Sequence, residues 1–222
     1  MSRVTSHESR VTPSVLWAVV PVRGIAAGKS RLAAVLDATA RAALNRRLLE
    51  HTLSVVAAWS GGLDRCAVVS SCREALALAA RLGAVAVDEG PEAGGLNAAA
   101  ALGREYAGAH GASSALVLAC DLPRLNGEAL AAMAGAAASE RHMILAPDRH
   151  GTGTNALLVS ARAPFDFQFG EASCAKHRAL AAARGWPVEL CLRSELEFDL
   201  DTPADLARWT ETAAEADRRR ML

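Results

Sequence analysis

Three aspartates are the residues in this chain best placed to do chemistry. Asp199 and Asp201 stand two apart in Phe198-Asp199-Leu200-Asp201-Thr202-Pro203. In an extended segment, residues two apart point to the same side. The segment therefore presents two carboxylates together and sends Leu200 to the core. Like charges so close repel unless a cation lies between them. Mg²⁺ suits that place, because it takes oxygen ligands and shares its shell with phosphates and water. Asp121 follows the apolar run Ala115 to Ala119, in Cys120-Asp121-Leu122-Pro123. An acid at the end of such a strand projects from the sheet edge where ligands gather. Each acid also has a plainer reading. Asp121 can cap the next turn, and Asp201 can serve the N-terminus of the helix that follows.

Positive charge stands after the first strand-like run, in Pro21-Val22-Arg23-Gly24-Ile25-Ala26-Ala27-Gly28-Lys29-Ser30-Arg31-Leu32. Gly-Lys-Ser suggests a P-loop, but that motif needs a glycine where Arg23 stands, and Gly24 comes one residue late. The segment reads instead as a loop offering backbone N–H groups, Arg23, Lys29 and Arg31 to a triphosphate. An ordinary strand-to-helix turn with solvated basic residues is the alternative.

Further glycine-bearing loops follow. In His150-Gly151-Thr152-Gly153-Thr154-Asn155, amides and hydroxyls can converge on an anion, or the segment is a glycine-rich hairpin. In Phe169-Gly170-Glu171-Ala172-Ser173-Cys174, Ser173 can be helix cap and phosphate ligand together, or a cap alone. His177 reads as a surface or packing histidine. Cys174 lacks the paired base that a thiol nucleophile needs, and reads as packing or as pocket lining. Gly94-Gly95-Leu96-Asn97 opens a helix after a strand, where Asn97 and backbone groups can read a base or ribose.

The elements that must position these residues alternate between short β-rich runs and longer alanine- and leucine-rich stretches. Strands are expected at Val15 to Val22, Cys66 to Ser70, Ala84 to Val87, Ala115 to Ala119, Met143 to Ala146, Ala156 to Ser160 and Val188 to Leu192. Helices are expected at Leu32 to Trp59 (as two or one broken), Arg73 to Leu82, Leu96 to Tyr106, Asn126 to Ser139 and Ala175 to Arg184. A last helix is capped by Thr202, with Pro203 in its first turn and Asp205 where a capping box puts an acid. The alternation predicts an α/β fold, a mostly parallel sheet with helices on both faces.

The length of 222 residues fits one domain, taken as 15–215. Residues 1–14 are polar, without the apolar stretch of a signal peptide, and read as a disordered tail; 216–222 read as a solvated one. Formal net charge is zero, which argues against a nucleic-acid footprint or an anionic membrane surface. No apolar run is long enough to span a bilayer. The five cysteines form no C-x-x-C pair, so a reducing cytoplasm is expected rather than a disulfide framework or zinc cage.

Taken together, the segments resemble the guanylyltransferases of coenzyme F420 biosynthesis. The matching pieces are PVRGIAAGKSRL, GGLNAA, the Asp121-Leu122-Pro123 strand end, PDRHGTGTNALL, FGEASCAKH and FDLDTPADL, in the family's order. The resemblance implies a Rossmann-like nucleotidyltransferase fold. It implies GTP as donor, pyrophosphate as product and 2-phospholactate, phosphoenolpyruvate or 3-phosphoglycerate as acceptor. A homodimer is compatible with it. Residue by residue, it implies Mg²⁺ on Asp121, Asp199 and Asp201, and the triphosphate on Arg23, Lys29 and Arg31. Lys29, Arg31 and Asp121 would act in catalysis. Gly94 and Asn97 would meet the nucleotide, and Thr154, Asn155, Gly170 and Ser173 the acceptor. Arg23 stands where the family usually has lysine, and Cys174 where an aromatic residue is expected. An acceptor phosphate oxygen would attack the α-phosphorus in line, with no general base. The rival readings are a molybdopterin- or sugar-type nucleotidyltransferase of the same fold and a non-catalytic GTP-binding module.

Overall fold

The computed structural model describes residues 15–26, 28–90, 94–135 and 141–212. The tails expected at 1–14 and 216–222, and the far end of the helix expected to reach Ser139, lie outside the described residues. The strands are β1 (Leu16–Pro21), β2 (Cys66–Ser70), β3 (Val85–Asp88), β4 (Ser114–Leu118), β5 (Met143–Pro147), β6 (Thr154–Ser160) and β7 (Val188–Leu190). They form one sheet in the order β3-β2-β1-β4-β6-β5-β7. All neighbouring strands are parallel except where β6 lies antiparallel between β4 and β5. The sheet is thus mixed with a parallel majority. The β5–β6 connection is too short for a crossover, so β6 must return as a hairpin arm.

The central strands are apolar throughout because both of their faces are covered. On one face α1 (Ala38–Ser60), α2 (Arg73–Leu82) and α4 (Gly127–Ala134) pack over Val20, Val68, Leu116 and Leu118. On the other, α3 (Leu96–Ala109) and α5 (Ser173–Ala183) pack over Trp17, Val19, Val117 and Leu157. Among the described residues, no helix is long and apolar enough to cross a membrane.

Several boundaries differ from those expected. The stretch from Leu32 divides into a 3₁₀ turn (Ser30–Ala34) and α1, because Asp37 caps α1 by accepting from Ala40 N–H at 2.8 Å. Ser173 is the first residue of α5 rather than its cap. The cap position is Ala172, which has no side-chain acceptor to offer. A short helix α6 (Ser194–Glu197) was not expected; four residues carry no readable period. The last helix, α7 (Pro203–Thr212), has its capping box: Asp205 N–H donates to Thr202 Oγ1 at 3.3 Å and Asp205 Oδ2 accepts from Thr202 N–H at 2.8 Å.

A separate apolar cluster of Leu32, Leu44, Leu48, Phe198, Leu200 and Trp209 joins the 3₁₀ turn, α1, α7 and the segment before α7. It ties the residues flanking Lys29 to those flanking Asp199 and Asp201.

Helix α3 lies unusually close to the sheet at Gly103. A Cβ there would come within 2.3 Å of Val19 Cγ1 and 2.8 Å of Val69 Cγ2. Gly103→Ala is therefore expected to destabilise the protein by about 1–3 kcal/mol through overpacking. Thermal unfolding checks this, and an unchanged midpoint would show that α3 can shift freely.

Candidate active site

A cleft of about 540 Å³ opens beyond the carboxyl ends of β1, β2, β3 and β4. It lies where strand order reverses between β1 and β4, the place where open α/β sheets bind ligands. The loop after β1 forms one wall with Arg23, Gly24, Gly28 and Lys29. Cys120 and Asp121 follow β4, Ser71 follows β2 and Glu89 follows β3. Gly95, Leu96 and Ala99 line it from the start of α3. Burial, then the neighbouring Asp88 charge, raises the Glu89 carboxyl above its ordinary range.

Lys29 is the centre of the cleft's charge. Its Nζ donates to Asp121 Oδ2 and to Asp201 Oδ1, both at 2.9 Å, and its side chain is only 6% exposed. Burial alone would lower its pKa, but the two carboxylates outweigh that cost and hold it well above its ordinary value. Lys29 takes left-handed backbone (φ 60°), which a side chain adopts at a cost of about 1–2 kcal/mol. The residues after it enter a 3₁₀ turn instead of a long helix. No P-loop geometry results.

Asp199 and Asp201 lie on either side of Leu200 as their spacing suggests, and Lys29 links Asp201 to Asp121. Leu200 is fully buried, and Asp199 and Asp201 flank it with partial exposure. Leu200 N–H donates to Asp121 O at 3.0 Å, which staples the two acid-bearing segments together. Burial, then the charges of Asp121 and Asp201, raises the Asp199 carboxyl. Among the described residues, no three His, Cys, Asp or Glu side chains gather closely enough to hold an ion. Lys29 occupies the space between two of the three acids. Arg31 lies 3.9 Å from Asp201 and is mostly exposed.

Two residues that no spacing singled out support this cluster. Asn45, on α1, donates from Nδ2 to Ile25 O at 2.7 Å and lines the cleft. A Cβ at Gly28 would meet that amide at 2.6 Å, so a larger residue there would push Asn45 away from Ile25. Arg149 pairs with Asp205, donates to Asp199 O at 3.3 Å and stands over the Phe198 ring. It braces the segment that carries Asp199. Both contacts cross long stretches of chain, so no local pattern announces them.

The glycine-threonine loop does not point its amides into open space. The N–H groups of His150 and Thr152 donate to Asp148 Oδ1, at 3.1 and 2.8 Å. The anion on which this loop converges is Asp148, and the loop is the β5–β6 hairpin. Asn155 is buried and donates to Leu196 O at 2.9 Å, while its carbonyl accepts from Ala119 N–H at 2.9 Å. It is a strut between β4, which leads to Asp121, and α6, which leads to Asp199. Thr154 Oγ1 lies 3.2 Å from His177 Nδ1, and His177 Nε2 accepts from Gln168 N–H at 2.9 Å. Nε2 must then be unprotonated, so Nδ1 carries the proton and donates to Thr154. Ser173 is buried, with its N–H on Gly170 O at 3.2 Å. Gly170 itself is exposed with φ 114°. Burial raises the Cys174 thiol, the opposite of an activated nucleophile.

Gly94 and Asn97 are not among the residues lining the cleft, although their neighbours Gly95 and Leu96 are. Asn97 instead binds the backbone of Phe169. Its Oδ1 accepts from Phe169 N–H at 2.7 Å and its Nδ2 donates to Phe169 O at 3.3 Å.

Comparison with known proteins gives the family and the fold. Residues 16–211 match the family model described as guanylyl transferase, CofC like. A phosphoenolpyruvate guanylyltransferase of Sphaerobacter thermophilus is 41% identical over 189 residues, covering 85% of this chain and 89% of the relative. A 3-phospho-D-glycerate guanylyltransferase of Phenylobacterium zucineum is 38% identical over 190 residues, covering 85% and 86%. A nucleotidyl transferase from Methanothermobacter thermautotroptrophicus superposes with a TM-score of 0.66 at 18% identity, over 92% of this chain and 98% of that one. The architecture is accordingly the Rossmann-like nucleotidyltransferase fold.

His177 gives the site a pH signature. Burial lowers its pKa from 6.5 to about 4. Below pH 6.5 the unfolded chain therefore binds a proton that the folded chain refuses. The contribution is fully present above pH 6.5 and is lost as pH falls towards 4, to the extent of about 3 kcal/mol. Chemical unfolding between pH 7 and 4 should show this slope, and His177→Asn should flatten it. An equal slope in the variant would place the titration elsewhere.

Proposed function

The chain belongs to the family of CofC-like guanylyl transferases, and from that premise we infer that it carries GMP from GTP onto the phosphate of a three-carbon phospho-acid. Pyrophosphate is the leaving group, and the product is the activated acid used in coenzyme F420 biosynthesis. Phosphoenolpyruvate and 3-phospho-D-glycerate are the acceptors in the relatives' names; 2-phospho-L-lactate is of the same chemical class. The observation that carries the reading is the buried Lys29 ammonium between Asp121 and Asp201, in a cleft at the sheet's switch point.

The donor set suits a hard divalent cation, with Mg²⁺ the natural choice. Lys29 bridges Asp121 and Asp201, Arg149 lies 4.0 Å from the Asp199 carboxylate, and burial, then the charges of Asp121 and Asp201, raises the Asp199 carboxyl. Asp121, Asp199 and Asp201 would hold the ion, which when bound neutralises charge on the triphosphate. Lys29 would then turn from the carboxylates to the phosphates, with Arg23 and Arg31 beside it. Gly95, Leu96 and Ala99 form the apolar wall available to the nucleoside.

The acceptor phosphate would lie against the exposed turn at Gly170, over a floor shaped by Thr154, Asn155 and Ser173. Its oxygen is already anionic near neutral pH. Attack on the α-phosphorus forms a new O–P bond as the bond to pyrophosphate breaks. No proton need be removed, so neither His177 nor Cys174 has a chemical part. The protein's work is positioning and charge neutralisation.

Incubation with GTP, CTP or ATP, Mg²⁺ and each phospho-acid in turn tests the reading. Pyrophosphate release with GTP and at least one acid is expected, and none with any acid would sink it. Asp121→Ala should lower release by about a thousandfold with little change in thermal stability. Near-normal release would overturn the metal assignment.

Lys29→Met offers a second check. Without Mg²⁺ the variant leaves two carboxylates facing each other, so its unfolding temperature should fall below wild type. Added Mg²⁺ should restore more of that loss than it adds to wild type. An equal Mg²⁺ shift in both proteins would show that Lys29 and the ion do not share the acids.

A further inference from the structure

We propose that Asn97 is a positioning residue for the phospho-acid acceptor, coupling the nucleotide wall of the cleft to the acceptor turn. The proposal rests on the guanylyl-transfer reading above. Asn97 contacts both backbone groups of Phe169 with its amide, at 2.7 and 3.3 Å, as a neighbouring strand would. The residues around it at the start of α3, the cap Gly95 with Leu96 and Ala99, line the cleft. Asn97 itself reaches across to a segment 72 residues away in the chain. An amide occupied in this way has no free edge for a base.

The place it reaches is specific. His177 accepts from the N–H of Gln168 at 2.9 Å, so side chains of two different helices hold two consecutive amides. Phe169 is further fixed by stacking on Phe167, with centroids 5.7 Å apart, and by an edge contact with His177 at 5.0 Å. Immediately afterwards the chain turns through Gly170 (φ 114°) and Ala172 (φ 55°). Left-handed backbone at an alanine persists only where its surroundings impose it. The far end of the turn is pinned by Cys174 N–H on Thr152 O, at 3.0 Å. Asn97 is thus half of the clamp on the near end. Its own helix is seated on β1 and β2 by the close approach of Gly103. A displacement of the nucleotide wall would carry the acceptor turn with it.

The test is Asn97→Ala, assayed with phosphoenolpyruvate or 3-phospho-D-glycerate, whichever the wild type uses. Losing two exposed hydrogen bonds that fix the start of the turn should raise the acceptor KM roughly tenfold. The GTP Kd, measured by calorimetry without acceptor, and the thermal midpoint should stay near wild type. Amide exchange should quicken from Phe169 to Ser173. Asn97→Asp keeps the acceptor for Phe169 N–H and should recover part of the KM loss. A raised GTP Kd with unchanged acceptor KM would overturn the proposal and return Asn97 to the nucleotide. Equal loss of both affinities with a lower midpoint would reduce it to a structural residue. If the wild type releases no pyrophosphate with any acid, the guanylyl-transfer reading falls. The exchange measurement then still decides whether Asn97 holds the turn, and unchanged exchange refutes it.

Discussion

An ammonium taken out of water costs several kcal/mol unless its partners repay that cost through short, well-aimed contacts. Lys29 meets this condition with two carboxylate oxygens at 2.9 Å. Its partners come from segments that are far apart in sequence, after β4 and before α7. A buried cation between them fixes the distance between those segments as firmly as it fixes itself. Asp199 stands apart from this bridge: burial, then the charges of Asp121 and Asp201, raises its carboxyl, and the Arg149 guanidinium 4.0 Å away is a partial counter-charge. Lys29 is thus the tie on which the polar arrangement of the cleft depends.

The polar cluster is held from beneath by apolar residues interleaved with it. Leu32 follows Lys29 by three positions, and Leu200 sits between Asp199 and Asp201; both are fully buried in one cluster with Phe198 and Trp209. Burial of such side chains contributes about 1.5–3 kcal/mol each. That is enough to impose left-handed backbone at Lys29 and to keep like charges together. Arg149 adds the lateral brace, with its guanidinium shared between Asp205 and the Asp199 carbonyl. The capping box of α7 thus does more than start a helix, because Asp205 is also the counter-charge for that brace.

What the sequence made legible was whatever depends on local pattern. The apolar runs became strands, β-α alternation became a doubly covered sheet, and Asp199-Leu200-Asp201 placed its acids and leucine on opposite sides. Thr202, Pro203 and Asp205 started the helix they appeared to start. Long-range pairing was not legible. Asn45 reaches Ile25, Asn97 reaches Phe169 and Asn155 reaches Leu196, and nothing adjacent in the chain marks an asparagine as a strut rather than a ligand. The glycine-threonine loop misled for a related reason. Amides converging on an anion make one geometry whether the anion is a ligand or a carboxylate two to four residues away, and here it is Asp148. Ser173 lost its capping role because the turn before it placed Ala172 in the cap position.

The reaction itself accounts for this heavy use of struts. A phosphate nucleophile needs no base, so rate must come from bringing two anions together and holding them in line. Both are repelled by each other and by the acids of the cleft. A floppy loop would yield to that repulsion, since its own hydrogen bonds are worth only about 1 kcal/mol each. The fold places the β1–β3 side of the cleft and the turn at Gly170 on opposite sides of β4. It then ties them through backbone contacts that carry no charge: Asn155 across β4 and β6, and His177 and Asn97 on successive amides of the turn. Neutral struts hold position without adding charge to the cleft. His177 can serve in this way only because burial keeps it uncharged at neutral pH. The same imidazole in a solvated place would titrate within the working range and loosen the turn it now holds.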